Sequence, residues 1–135
     1  MIVLDASAAL ECVLRTSIGK QITDTWLTKE RSIHAPHLVD VEVAQVLRRL
    51  VLKKSMTRAR ADDARSDWLA LRITRHEHRP MLDRMFELMD TLTAYDSSYV
   101  ALAESLEAPL LTSDSKLGRS HGHRAKIISF ARPLK

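Results

Sequence analysis

The 135-residue chain predicts an α/β fold: a parallel sheet of about four or five short strands, flanked by helices on both faces. Three observations carry that expectation. Short, mostly apolar runs at Met1–Leu4, Leu110–Thr112 and Ile127–Phe130 fit buried strands bounded by turn residues. Between them the apolar residues recur at helical spacing. The two patterns alternate, with no repeat, low-complexity tract or linker to divide them. Residues 1–135 are therefore expected to fold as one domain that buries about two-thirds of its unfolded surface.

In order, Met1–Leu4 ends at Asp5, which sits at or near the N-cap of a helix reaching about Leu14, with Ser7 in its first turn. A second helix is expected over Ile18–Lys29, with Ile22, Trp26 and Leu27 inward. Ser32–Ala35 reads as a strand. Pro36 suits the first turn of a strongly apolar third helix, Leu38 to Val51, closed by Arg48, Arg49, Lys53 and Lys54. After a turn at Ser55–Arg58, a charged helix runs to about Leu71 on a narrow apolar side of Ala61, Ala64, Trp68 and Leu71. Ile73–His78 is a strand or an extended connection. Pro80 opens a helix to about Thr91, with Met81, Leu82, Met85, Phe86, Leu88 and Met89 inward as core filler. The next helix carries an apolar stripe of Tyr95, Tyr99, Ala103 and Leu106, and Pro109 stops it before the strand Leu110–Thr112. Ser115–Gly118 is a short turn or helix, Arg119–Lys126 a basic loop, Ile127–Phe130 the last strand and Ala131–Lys135 a tail.

Composition narrows the function. Aromatic residues are only 4% of the chain, which argues against a base-stacking platform. No apolar run approaches the roughly 20 residues of a membrane span, and no basic leader precedes Asp5, so neither membrane nor export signal is expected. Cys12 is the single cysteine, a buried packing residue in this reading, which suits a reducing cytoplasm. The net charge of +4 and pI near 9.5 favour a polyanionic partner. His76 with His78, and His121 with His123, lack the companions of a zinc site.

Four acids stand at the ends of these elements. Asp5 and Asp114 each follow a strand, so both belong at the carboxyl edge of a parallel sheet, where such folds place their sites. Asp96 and Glu42 would reach that edge from the N-terminal halves of helices. Each has a bland alternative: Asp5 and Asp114 as caps, Asp96 closing a capping box with Thr93, Glu42 as an exposed helix residue. Asp40 lies about 200° around the helix from Glu42, so the two cannot serve one site. Acids gathered this closely need a cation, and oxygen-only ligands point to Mg²⁺ or Mn²⁺. The economical chemistry is phosphodiester hydrolysis by a metal-activated water, with Ser7, Thr112 and Ser113 orienting ligands. Arg48, Arg49 and Lys116 are candidate phosphate contacts.

The motifs Met1-Ile-Val-Leu-Asp5-Ala-Ser7, Pro36-His-Leu-Val-Asp-Val-Glu42, Leu92-Thr-Ala-Tyr-Asp96-Ser-Ser-Tyr-Val-Ala-Leu-Ala-Glu104 and Pro109-Leu-Leu-Thr-Ser-Asp114 follow in family order and spacing. Together they resemble a PIN-domain ribonuclease, most closely a VapC-type toxin of a bacterial toxin–antitoxin pair. The resemblance implies that Asp5, Glu42, Asp96 and Asp114 carry the divalent metal, that Thr112 supports them, and that the substrate is RNA. It also implies a homodimer silenced by an antitoxin whose tail covers the active site. One departure is Leu-Glu-Ala before Pro109, where relatives often have Leu-Gly-Ala, so Glu107 removes an easy left-handed cap. The rival readings are a PIN-like nuclease acting on DNA or structured nucleic acid, and a non-catalytic basic nucleic-acid-binding or regulatory module.

Overall fold

The computed structural model describes residues 1–29 and 31–130, so the tail expected at Ala131–Lys135 lies outside the described residues. Five strands form one parallel sheet in the order β3-β2-β1-β4-β5. They are β1 (Ile2–Leu4), β2 (Ile33–Pro36), β3 (Thr74–His76), β4 (Leu110–Thr112) and β5 (Ile127–Ser129). The middle strands β1 and β4 are buried throughout, which is why they read as apolar runs without alternation.

The chain leaves β1 towards β2 and β3, then returns across the sheet to β4 and β5. Right-handed crossovers in opposite directions put helices on opposite faces. On one side lie α1 (Ala6–Val13), α2 (Ser17–Ile22), α3 (Leu38–Leu52) and α4 (Arg58–Ala70), with α1 packed on the other three. On the other, α5 (Leu82–Glu87) packs on α6 (Ala94–Leu106), and α6 covers β1, β2 and β4. The short α7 (Ser115–Gly118) links β4 to β5. The connections change direction between β1 and β4, so their carboxyl ends border the crevice where open α/β sheets take ligands.

Local chemistry sets the boundaries. Asp5, Thr16, Thr57, Thr93 and Asp114 cap α1, α2, α4, α6 and α7 through side-chain oxygens. Gly19 lets α2 touch α1: a β-carbon there would lie 1.9 Å from the Glu11 carbonyl oxygen. Glu107 takes the left-handed conformation at the end of α6 (φ 51°), and Ala108 N–H bonds back to the Ala103 carbonyl at 3.1 Å. The Glu107 side chain accepts a conformation that glycine would adopt freely. Arg84 of α5 grips Glu104 of α6 side-on through Nε and Nη2, at 2.7 and 2.9 Å, and that carboxylate also accepts the Arg124 N–H.

Several expectations are corrected. Pro36 ends β2 instead of opening α3; it pairs with His76, and His37 N–H continues the ladder to the His76 carbonyl at 3.0 Å. β1 has no residue paired with Pro36, so its missing N–H leaves no bond unmade. The second helix stops being α-helical at Ile22 and finishes as a π-helical turn, Thr23–Leu27, closed by the Thr28 N–H on the Thr23 carbonyl. The helix expected from Pro80 to Thr91 is a 3₁₀ turn, Arg79–Met81, followed by the short α5. Of its supposed inward residues, Met81 and Leu88 are buried, whereas Leu82, Phe86 and Met89 are exposed. Tyr95 and Val41 also face outward.

Candidate active site

The sequence reading named Asp5, Glu42, Asp96 and Asp114, and all four lie around the β1–β4 crevice. Asp5 follows β1 directly and is 5% exposed. Its Oδ1 accepts the Ala8 N–H at 2.9 Å and the Ser7 hydroxyl at 2.7 Å, so it caps α1 with one oxygen. The Thr112 hydroxyl bonds the same carboxylate and lies 3.2 Å from the Ser7 hydroxyl. Burial nevertheless pushes the Asp5 carboxyl up to about 6, against the pull of these three donors, and the charge of Asp96 adds to the rise. Asp5 is thus both cap and strained buried acid.

Glu42 stands in the second turn of α3, half-buried, with its Oε1 accepting the Tyr99 hydroxyl at 2.5 Å. Burial lifts its carboxyl above the ordinary value, and Asp96 contributes. Asp96 lies in the first turn of α6. Thr93 caps that helix through the Asp96 N–H at 3.2 Å, but the Asp96 carboxylate returns no hydrogen bond among the described residues. The capping box is only half formed. Burial first and Asp114 second raise the Asp96 carboxyl, with Lys116 opposing. Asp114 caps α7, accepting the Lys116 N–H at 2.8 Å. Asp96 is therefore the common member, felt by Asp5 and Glu42 and feeling Asp114.

Among the described residues no ion pair involves any of these four acids. Nor do any three His, Cys, Asp or Glu side chains stand close enough to clasp one ion as they are placed. The donor set still fits a hard divalent cation: several carboxylates, partly desolvated, pushed up by burial and by one another, with no ion pair among the described residues and only Lys116 opposing the rise at Asp96.

The supporting residues divide. Ser7 joins the Asp5 carboxylate to the Ser113 N–H (3.0 Å), and Thr112 accepts the Asp114 N–H (3.0 Å), so a hydroxyl ladder ties the end of β4 to Asp5. Ser113 takes part through its backbone, not its side chain. Lys116 lies beside Asp96. Arg48 instead lines a cleft between α3 and α4, on another side of the helix from Glu42. Arg49 is seven residues from Glu42, hence on the same side about two turns along. Asp40 faces away from the site and pairs with Arg75 at 2.6 Å. His76 bonds His34 at 2.8 Å, and His78 accepts the Leu38 N–H at the start of α3. Sequence reasoning missed Tyr99 as a site residue. The available signal was a phenol in a buried, small-residue helix stripe, where its hydroxyl must find a partner.

Comparisons with known proteins agree with this architecture. A family model described as PIN domain matches residues 2–120. Ribonuclease VapC12 of Mycobacterium tuberculosis is 39% identical over 127 residues, covering 94% of this chain and 97% of its own length. The crystal structure of PAE2754 from Pyrobaculum aerophilum aligns with a TM-score of 0.69 at 23% identity, over 92% of this chain and 89% of its own. VapBC2 from Rickettsia felis, solved bound to a DNA fragment from its promoter, aligns with a TM-score of 0.63 at 14% identity, over 96% and 98%. The chain belongs to the PIN-domain family, among its VapC ribonucleases.

Proposed function

We propose that this protein is a divalent-metal-dependent endoribonuclease, the toxin of a type II toxin–antitoxin pair acting in the cytoplasm. What supports the reading is that Asp5 and Asp114 directly follow β1 and β4, that Asp96 acts on Asp5 and Glu42 and is acted on by Asp114, and that none of the four acids forms an ion pair among the described residues. Asp5, Glu42, Asp96 and Asp114 would hold Mg²⁺ or Mn²⁺. A bound ion supplies stabilisation of charge on phosphoryl oxygens and a nucleophilic water at neutral pH. The chain's own contribution is to fix Asp5 through Ser7, Thr112 and the Ala8 N–H, and to keep cations other than Lys116 away from the acids. Lys116 and Arg49 are suited to the phosphates of an RNA strand, as the basic balance of the whole chain also favours.

Two protein partners follow from this reading. The cleft between α3 and α4, about 740 Å³, has an apolar floor that includes Val43 and Leu47, with Leu52 and Leu69 exposed along it. Arg48, Arg58, Arg65 and Arg75 outnumber Asp40 and Asp62 on its rim, so an amphipathic segment with acidic residues, from the antitoxin, suits it. A second copy of the chain would cover the exposed Leu82 and Phe86 of α5 and Met89 just beyond it. No helix of the described residues is long and apolar enough to cross a membrane.

The deciding test is RNA cleavage by wild type and Asp5→Asn, each with Mg²⁺, with Mn²⁺ and with EDTA. Cleavage by wild type that EDTA and Asp5→Asn both abolish is the expected result. Equal cleavage by a folded Asp5→Asn protein in EDTA would reject the reading.

A further inference from the structure

Tyr99 is 2% exposed and heads the fully buried large side chains, yet its neighbours in the buried part of α6 are Ser97, Ser98, Val100, Ala101, Leu102 and Ala103. A phenol among small and aliphatic residues brings a hydroxyl that must be satisfied away from water. Here it donates to Glu42 Oε1 at 2.5 Å, and the Ala6 backbone N–H reaches the same phenol oxygen. Ala6 opens α1 immediately after Asp5, and Tyr99 lies three residues past Asp96, on the same side of α6. One hydroxyl therefore ties together the three elements that carry Asp5, Glu42 and Asp96.

A glutamate on a half-exposed helix flank ordinarily samples several rotamers, and freezing such a side chain costs conformational entropy. The exposed Val41 beside it shows that solvent is within reach on that flank. The short, charge-assisted bond from Tyr99 holds Glu42 inward instead. Only Oε1 is engaged; Oε2 makes no hydrogen bond among the described residues.

We infer that Tyr99 is a positioning residue: its hydroxyl presets the Glu42 carboxylate, so that a divalent cation meets an acid already turned toward Asp5 and Asp96. Tyr99 acts through Glu42 and touches neither substrate nor ion. This inference rests on the proposal that the acids bind a divalent ion, and it adds a residue whose chemistry is not acidic to that site.

The test is Mn²⁺ binding to the full chain, followed by electron paramagnetic resonance, for wild type, Tyr99→Phe, Glu42→Gln and the double variant. Melting curves without metal accompany each. Phenylalanine keeps the ring and removes the hydroxyl alone. Tyr99→Phe is expected to melt within a few degrees of wild type while its Mn²⁺ Kd rises about tenfold, and to add nothing in the Glu42→Gln background. Wild-type affinity in folded Tyr99→Phe, or losses that add fully in the double variant, would overturn the assignment while leaving the metal site standing. If wild type itself binds no Mn²⁺, the metal-site reading fails and this one with it. Glu42→Asp gives a second route should Tyr99→Phe not fold: the shorter side chain draws the carboxylate off the phenol with Tyr99 intact. It is expected to match the tenfold loss, and wild-type affinity there would also reject the role.

Discussion

Asp40 and Glu42 stand two residues apart on α3, and their surroundings could hardly differ more. Asp40 accepts two bonds from Arg75, at 2.6 and 2.8 Å, and the Trp68 indole N–H at 2.8 Å. These bonds, Arg75 above all, hold its carboxyl below the ordinary value. Glu42, about 200° around the helix, has a phenol for a partner and no cation, and burial lifts its carboxyl instead. The first acid is neutralised by the fold and stitches α3 to α4 and β3. The second keeps an uncompensated charge, which is what a site for a bound cation requires. On the proposed reading, an acid's pairing, more than its position in a motif, separates structure from function on this helix.

The comparison breaks most visibly at the unpaired acids. Asp5→Asn and Asp96→Asn are each expected to lower RNA cleavage by about 100-fold or more in Mg²⁺, measured as initial rates on folded protein. Without metal, Asp5→Asn should also be the more stable protein. Holding a carboxyl at about 6 in place of 3.8 opposes folding at neutral pH, by up to about 3 kcal/mol. Asparagine can still accept the bonds that cap α1. A gain of several degrees in melting temperature is the expected reading.

The paired acid should behave the other way. Asp40→Ala leaves Arg75 and the Trp68 indole without their acceptor and is expected to cost about 1–2 kcal/mol, read from urea unfolding, with cleavage per folded molecule retained. Partial exposure of the pair keeps the figure modest.

Acidity sharpens the contrast further. The folded chain holds the Asp5 proton up to about pH 6, whereas the unfolded chain releases it near 3.8. The metal-free protein therefore loses this contribution as pH rises between those values. The stability gap between Asp5→Asn and wild type should widen from about pH 4 to about pH 6 and then level. Mn²⁺ affinity should rise over the same window as the proton leaves. His34 carries the opposite sign: burial, with His76 and the chain's amino terminus, holds it below 6.5, so stability falls as pH drops below that value in both proteins and cancels from the gap.

The smallest effect is expected at Glu42→Gln without metal. The amide oxygen can still accept from Tyr99 and the buried charge is gone, so the melting temperature should move by no more than about 2 °C, upward if at all. A drop comparable with that of Asp40→Ala would erase the distinction between the two acids.

Much of this was legible beforehand. The fully buried β1 and β4 announced themselves as apolar runs, and the acids that follow them fell at the carboxyl edge because a parallel sheet leaves no other place for them. Half-buried helices misled. Leu82 and Phe86 have core chemistry but lie on the outer side of a helix that ends at Glu87, Met89 just past it is exposed as well, and nothing local distinguishes a core stripe from a surface one. Pro36 satisfied the rule for a helix start equally well as the rule for a strand end, and only the place where β1 stops pairing decided between them.

The sequence by itself determined the class of fold and the acids to watch, because hydrophobic period and the residue after a strand are local properties. The tertiary structure alone decided the strand order that sets β1 beside β4, the bond from Arg75 that removes Asp40 from the site, and the reach of Tyr99 from α6 to Glu42. These join residues 35 and 57 positions apart. No periodicity encodes such pairs; they form only when packing has already brought the helices over a common edge.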